Sequence, residues 1–408
     1  MNEITKKPNR PIIKFVRLFL PRFIDTKNEF ITNAEIIHDL EPPYLILANH
    51  VNNWDPIYIS RFVKHPIQFV TSDNFFRARW LRYILTDWVG AIPKTKSMSD
   101  SQAVKNILRV KKWDGVIGIF PEGARSWDGD SLPSIYSTAK LVKLLKIPVV
   151  FVNFKGCHLA GPRWAVKQRK GKIYMDFNII LSAEQIKGMD ADQIHRVIEE
   201  SLQYSEYAWQ RENMFEYNGK NLAERIELML FLCPHCNKIE TLVSKGNDFY
   251  CTECGYKTIY TKTGFFETDF KNLYFDNPLD WNKWQIKRLH EDLDKIDQPD
   301  SVIFDDDDVI LFKGKRTGMP KKIALGRMVL KQDKMIFTNE RRQVTEFSLK
   351  LMHGVNIQSN RIFEFYMDDD LYRFRFKDNQ FSVYKWSLAV EYLKEKEEVV
   401  KNVEKNDR

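Results

Sequence analysis

The chain has 408 residues, 43% of them hydrophobic and 29% charged, and a formal net charge of +8. That length admits two or three domains, and the hydrophobic content excludes wholesale disorder. The positive balance favours an anionic partner (a phospholipid surface, a phosphorylated substrate or nucleic acid) without choosing among them.

In residues 1–22, Lys6, Lys7, Arg10, Lys14, Arg17 and Arg22 face a single acid, Glu3. Ile12, Ile13, Phe15, Val16, Leu18, Phe19 and Leu20 lie between them at roughly helical spacing. Such a segment either lies on an anionic membrane or packs on its own core, and Pro21 limits it to about three turns. It has no small-residue cleavage site, and no apolar run in the chain approaches the roughly 18 residues that span a bilayer. A cytoplasmic protein is expected, peripherally associated with the cytoplasmic face of an anionic membrane.

From residue 44 to about 180, strand and helix patterns alternate. Strands are expected at Tyr44–Ala48, Ile67–Thr71, Val89–Ile92, Val116–Phe120 and Pro148–Phe154. Helices are expected from Ile57, at Phe76–Leu85, at Ser101–Trp113 and at Tyr136–Leu145. Ile173–Ile180 alternates polar and apolar residues and reads as an outer strand. Short apolar strands alternating with helices indicate an α/β domain with a largely parallel sheet. One helix over 190–215 closes it.

Composition shifts near residue 229. Cys233-Pro-His-Cys236 and Cys251-Thr-Glu-Cys254 form a C-x2-C-x14-C-x2-C array. In a reducing compartment, paired C-x-x-C units point to a closed four-thiolate zinc site, a zinc ribbon. His235, Lys238, Glu240, Glu253 and Lys257 give it a mixed face, which argues against nucleic acid and for a stabilising or docking role. Cys157 is left over and reads as a small buried apolar residue. A polar helix at 278–297 reads as a connector. From 301 the chain is strand-rich and ends in an amphipathic helix from about Val383, a small barrel or sandwich with a capping helix. Lys313, Lys315, Arg316, Lys321 and Lys322 are read as an exposed hairpin, with lipid headgroup contact as the alternative. Arg163–Lys172, basic and carrying Trp164, reads either as a surface for anionic membrane or as a solvated turn.

Two segments carry the chemistry. Asn49-His50-Val51-Asn52-Asn53-Trp54-Asp55 follows the first apolar strand, and Phe120-Pro121-Glu122-Gly123-Ala124-Arg125-Ser126 follows a later one. Strand ends are where α/β sheets place reactive groups. Asp55 before Pro56 has the form of a helix N-cap. Positions five apart on a regular helix lie about 140° apart. Asp55 can therefore reach the His50 imidazole only if the intervening turn bends. A histidine oriented by a carboxylate is a general base. Arg125 can fork onto a phosphate, Gly123 permits a tight turn, and Glu122 can orient that arginine or bind a hydroxyl.

Asn-His-x-x-x-x-Asp followed by Phe-Pro-Glu-Gly-x-Arg-Ser resembles the paired signature of glycerolipid acyltransferases of the 1-acylglycerol-3-phosphate acyltransferase type, over roughly residues 30–215. Gly90-Ala91-Ile92-Pro93-Lys94 resembles the family's second block, with Lys94 where arginine is usual, and Ile147–Val152 its fourth. Ala124 replaces the commoner threonine. The resemblance implies His50 and Asp55 as the catalytic pair, and Asn49, Lys94, Glu122, Gly123, Arg125 and Ser126 as the substrate-binding set. It further implies acyl-CoA or acyl carrier protein as donor and a lysophospholipid as acceptor.

The expected organisation is therefore an acyltransferase domain with its N-terminal segment (1–228), a zinc ribbon (229–265), a helical connector (266–300) and a β-rich domain loosely resembling PH or GRAM modules (301–408). The expected product is phosphatidic acid. The competing reading is a non-catalytic lipid-binding or scaffolding protein on the same fold.

Overall fold

The computed structural model describes residues 5–15, 19, 28–94, 100–315, 318–376 and 382–406. The chain divides into two units: Met1–Lys220 with Lys262–Gly264, and Asn221–Thr261 with Phe265–Arg408.

The first unit is built on a seven-stranded sheet, β1 (Glu29–Thr32), β2 (Tyr44–Ala48), β3 (Ile67–Ser72), β4 (Ile92–Lys94), β5 (Val116–Ile119), β6 (Val149–Lys155) and β7 (Lys172–Leu181). Their order is β1-β7-β6-β2-β5-β3-β4. Every neighbouring pair is parallel except β6 with β7. β7 is not an outer strand as its alternation suggested, because β1, too short and polar to stand out in the sequence, pairs along its far side.

On one sheet face, Leu45, Leu47, Ile117, Val149 and Phe151 alternate inward with the two-residue period of strands. Against them pack Ile107 and Val110 of helix Ser101–Lys112, Ala139, Val142 and Leu145 of Ser137–Leu145, and Ile194, Ile198 and Leu202 of Ala191–Leu202. Each buried aliphatic side chain contributes about 1.5–3 kcal/mol. Asp100 caps the first of these helices, accepting from the Ala103 amide at 3.0 Å.

Two expected helices are broken. The segment after β3 is a 3-10 turn at Asp73–Phe76, an α-turn at Arg79–Tyr83 and a π-turn at Ile84–Trp88. The closing helix stops at Leu202 and resumes at Glu206. Between them the backbone pairs with 129–131: Ser131 N donates to Tyr204 O at 3.1 Å and Glu206 N to Gly129 O at 3.2 Å. These contacts from far along the chain outweigh local helix propensity.

In the second unit, β8 (Leu242–Lys245), β9 (Asp248–Cys251), β10 (Lys257–Tyr260) and β11 (Phe266–Glu267) form a four-stranded antiparallel sheet carrying the cysteines. The helix expected to be a connector, here Pro278–Asp294, is a packing element: Leu279, Trp281, Gln285, Leu289 and Leu293 are buried. Trp281 Nε1 donates to Leu232 O at 2.9 Å, and Gln285 Nε2 to Met229 O at 2.8 Å. A second sheet holds β12 (Phe304–Lys315), β13 (Lys321–Leu330), β14 (Lys334–Asn339), β15 (Val344–Ser348), β16 (His353–Gln358), β17 (Ile362–Met367) and β18 (Asp370–Phe376), closed by helix Val383–Asn406. Its order is β15-β14-β13-β12-β18-β17-β16. β16 was not expected, because His-Gly-Val-Asn-Ile-Gln lacks alternation. It carries Gly354 at φ +62° inside a register shift.

Candidate active site

β2, β5, β3 and β4 are parallel, so their carboxyl ends and the loops that follow share one edge of the sheet. Immediately after β2, Asn49 turns inward, its amide donating to Phe154 O at 3.0 Å and accepting from Phe154 N at 2.7 Å. Buried and doubly engaged, Asn49 locks the turn onto β6, and its side chain is committed to the backbone.

His50 comes next, and the turn 51–54 does bend. Asp55 is the first residue of helix Asp55–Phe62, and its carboxylate makes no cap bond to that helix. It points back over the turn. Oδ2 accepts from Val51 N and Asn52 N, each at 2.9 Å, and lies 2.8 Å from His50 Nδ1. An oxygen accepting from two amides is an acceptor for the imidazole as well, so Nδ1 carries the proton and Nε2 presents its lone pair. Asp55 is fully buried, and its Oδ1 receives the Cys157 thiol at 3.6 Å. Cys157 is thus buried as expected but also touches the dyad.

Phe120 covers the imidazole, stacked at 4.1 Å and 21°. Burial pulls His50 below its usual pKa; the Asp55 hydrogen bond and charge oppose this, and the charges of Arg125 and Arg163 deepen it. The imidazole is therefore neutral near pH 7, the form a base requires.

Glu122 neither orients Arg125 nor offers its oxygens outward. Oε1 accepts from His50 N at 2.6 Å and Oε2 from Leu132 N at 2.7 Å, so one carboxyl ties the two site loops together. Burial raises it to about 8, against these two amides. Gly123 takes φ +68°, and a Cβ there would lie 2.5 Å from Ile135 Cδ1. Ser126 is also structural. Its N donates to His50 O at 3.0 Å, and its buried hydroxyl accepts from Gly129 N at 2.9 Å.

Arg125 is half-buried, its pKa lowered by burial against the Asp55 charge. Sequence reasoning missed its companion. Arg163 donates from Nη1 to Arg125 O at 3.1 Å, and its guanidinium lies over the Trp127 ring at 4.0 Å. The loop read either as a membrane surface or as a solvated turn is partly folded inward: Trp164 and Arg169 are buried at 1% and 3%. Trp127, an apolar ring placed to seat a cation, was the available signal. Lys94 ends β4 at the same edge, three strands from β2, its pKa lowered by burial with Asp100 and Asp73 opposing.

In the second unit the four cysteines converge. Cys233 and Cys254 Sγ are 3.7 Å apart, as are Cys236 and Cys251, and all four sulfurs lie within 4.8 Å of one another. Thiolates bound tetrahedrally at about 2.3 Å would be about 3.8 Å apart, so the group can hold a metal ion. Lys238 pairs with Glu253 at 2.5 Å and Lys257 with Asp248 at 2.8 Å, so the ribbon presents no basic stripe. Lys313 and Lys315 both pair with Asp370, at 2.8 and 2.6 Å, as in an ordinary hairpin; Arg316 lies outside the described residues.

A sequence profile of the acyltransferase family matches residues 26–155. The match takes in the His50–Asp55 turn and the Glu122–Arg125 loop and stops before Arg163. A curated relative, the 1-acyl-sn-glycerol-3-phosphate acyltransferase of Streptococcus pneumoniae (strain ATCC BAA-255 / R6), is 28% identical over 128 residues. The alignment takes in 30% of this chain and 46% of the relative, so the chain spans less than half the length of the curated relative it matches. Among solved structures, the 1-acyl-sn-glycerophosphate (LPA) acyltransferase PlsC from Thermotoga maritima aligns over 49% of this chain and 79% of its own, at 16% identity and TM-score 0.41. The Vps36 N-terminal PH domain aligns over 24% of this chain and 80% of its own, at 20% identity and TM-score 0.20.

Proposed function

We propose that the chain transfers a fatty acyl group from an acyl thioester to the free hydroxyl of a lysophospholipid, 1-acylglycerol-3-phosphate foremost, giving phosphatidic acid. One observation carries the reading: Asp55 holds the Nδ1 side of His50, leaving Nε2 as a neutral base. Nε2 takes the hydroxyl proton as the oxygen attacks the thioester carbonyl. The C–S bond then breaks, and the leaving sulfur takes the proton back from the imidazolium. Asp55 fixes the tautomer and stabilises the transient cation. A scaffolding protein has no need of an imidazole kept neutral in this way.

Arg125 and Arg163 receive the acceptor's phosphate, with Lys94 further along the edge as an additional point charge. Glu122, Gly123, Asn49 and Ser126 hold the two loops at a fixed spacing. The donor is acyl-CoA or an acyl carrier protein. Zinc on Cys233, Cys236, Cys251 and Cys254 would occupy a closed site and stabilise the fold. The strand-rich body with its closing helix is read as PH-like. Among the described residues no helix is long and apolar enough to cross a membrane, and the enzyme is read as working peripherally at the cytoplasmic face.

The test is purified protein with a panel of acyl thioesters and lyso-acceptors, read by product mass. The expected product is the diacyl phospholipid from a phosphorylated acceptor. No transfer to any acceptor would remove the reading.

A further inference from the structure

The segment after β3 leaves three large side chains in solvent. Phe75 is 46% exposed, Trp80 68% and Tyr83 58%. Trp80 and Tyr83, three apart on helix Arg79–Tyr83, share a face, and the Tyr83 ring meets the edge of Trp88 at 6.4 Å. The N-terminal residues run beside this segment. Asn9 N donates to Trp88 O at 2.9 Å, Thr5 Oγ1 to Gly90 O at 3.0 Å, and Lys6 pairs with Asp87. The helix at 10–15 that begins there exposes Phe15, at 63%. Several exposed rings of this size on one short segment mark an interaction surface.

Charge decides the partner. The acids of 73–94 are Asp73, paired with Arg77, and Asp87, paired with Lys6. Arg79 on this segment, and Arg10 and Lys14 on the N-terminal helix, are exposed. Tryptophan and tyrosine amid cations suit the headgroup level of an anionic bilayer, where the ring bodies are buried and their polar ends remain wet. The segment also leaves the carboxyl end of β3, and the stack Phe69, Phe120, His50 leads from that strand to the base.

We propose that Phe75, Trp80 and Tyr83, bordered by Arg79 and continued by the helix at 10–15, form the surface that docks the first unit on an anionic lipid bilayer. The surface takes the place of the Arg163–Lys172 loop, whose Trp164 and Arg169 are buried. It rests on the acyltransferase reading only for its purpose; its test reads binding and needs no activity.

Full-length protein is sedimented with phosphatidylcholine vesicles and with vesicles in which about one lipid in three is phosphatidylglycerol. Wild type is expected to bind the anionic vesicles at least about tenfold more tightly. Trp80→Ser with Tyr83→Ser should weaken that binding about tenfold or more, with an unchanged melting temperature, because both side chains are exposed. Trp80→Phe with Tyr83→Phe should retain most of it. Arg79→Gln should weaken binding to the anionic vesicles alone, about fivefold. The proposal is overturned if wild type binds neither vesicle or both equally, or if the double serine variant binds as wild type does. It is equally overturned if wild type is an oligomer that the double serine variant disperses, since the surface would then be an interface between copies.

Discussion

The acids that set the loops of the first unit and those that fasten the second unit are partnered differently. Around His50 the acids hold backbone amides: Asp55 those of Val51 and Asn52, Glu122 those of His50 and Leu132, and Glu206 those of Gly156 and Leu159. In the second unit the acids meet cations. Lys385, itself buried, pairs with Glu240 and with Asp306 at 3.2 Å; Arg373 pairs with Glu364 at 2.7 Å; and Asp370 takes Lys313 and Lys315. Carboxylates spent on amides fix loop geometry. Carboxylates spent on cations cancel charge and fasten elements: Glu240 lies beside the ribbon, Asp306 on β12 and Lys385 on the closing helix. The first arrangement suits a shaped site, the second a support.

The largest expected effect tests the supporting role. Cys233→Ser with Cys236→Ser should abolish a zinc content of one per chain, measured by elemental analysis. Structural zinc contributes on the order of 10 kcal/mol in small ribbons, so 229–262 should become a preferred site of proteolysis. The first unit, with its own core, should keep its melting transition. A metal-free protein with wild-type stability would show that packing of Trp281 and its aromatic neighbours suffices.

Next in size is the base. His50→Ala should lower transfer by at least about a hundredfold, the scale of a lost general base. Its neighbours already hold the loops through backbone atoms, so the far-ultraviolet spectrum and melting temperature should hold. A folded variant with wild-type turnover would remove His50 from the chemistry and, with it, the contrast between the units.

Much of this arrangement was legible in the sequence, for identifiable reasons. Strand–helix alternation read out the sheet because buried parallel strands are continuous apolar runs such as Tyr44–Ala48. The His50–Asp55 pair was expected from the motif resemblance, while spacing alone allowed it only if the intervening turn bent. The cysteines declared themselves by their interval. What was illegible depends on contacts made at long range. Glu122 reads as a ligand-facing acid until Leu132 and His50 are seen to donate to it. Arg163 reads as a surface cation until Trp127 is seen beneath it. Helix 190–215 reads as continuous until residues 129–131 claim the backbone at Tyr204 and Glu206.

Buried groups that lack ionic partners should also make the first unit respond to acid through single residues. His158 is fully buried, with no hydrogen-bond partner for either ring nitrogen among the described residues, and its pKa falls to about 3 from burial and the nearby Arg169 charge. Its folded value lies below its unfolded one. Its contribution is therefore complete above about pH 6.5 and is lost as pH falls below that. Between pH 6.5 and 5 the loss is on the order of 2 kcal/mol. Glu206, raised to about 7 by burial, acts in the opposite sense and gains as pH falls toward its unfolded value. The two are separated by difference. His158→Leu should flatten the acid loss relative to wild type in denaturant titrations at pH 5 and 7, and identical slopes in both proteins would mean that His158 is hydrated.

The smallest expected effect locates Arg163. If its guanidinium acts on His50 through its charge, Arg163→Gln should remove one of the two charges that depress the imidazole. The acid limb of kcat/KM, which reports the free base, should then move to higher pH. Asp55→Asn should move it the other way, because the Asp55 hydrogen bond and charge raise the His50 pKa. The acceptor KM should rise about tenfold in Arg163→Gln for the loss of a charge-assisted bond to phosphate, with the donor KM unchanged. Arg163 also donates to Arg125 O, so a purely structural role would disturb Arg125 and raise the acceptor KM as well. The pH profile distinguishes the two. A raised KM with an unmoved acid limb would make Arg163 a prop for the Arg125 loop, and the anion site would then rest on Arg125 alone.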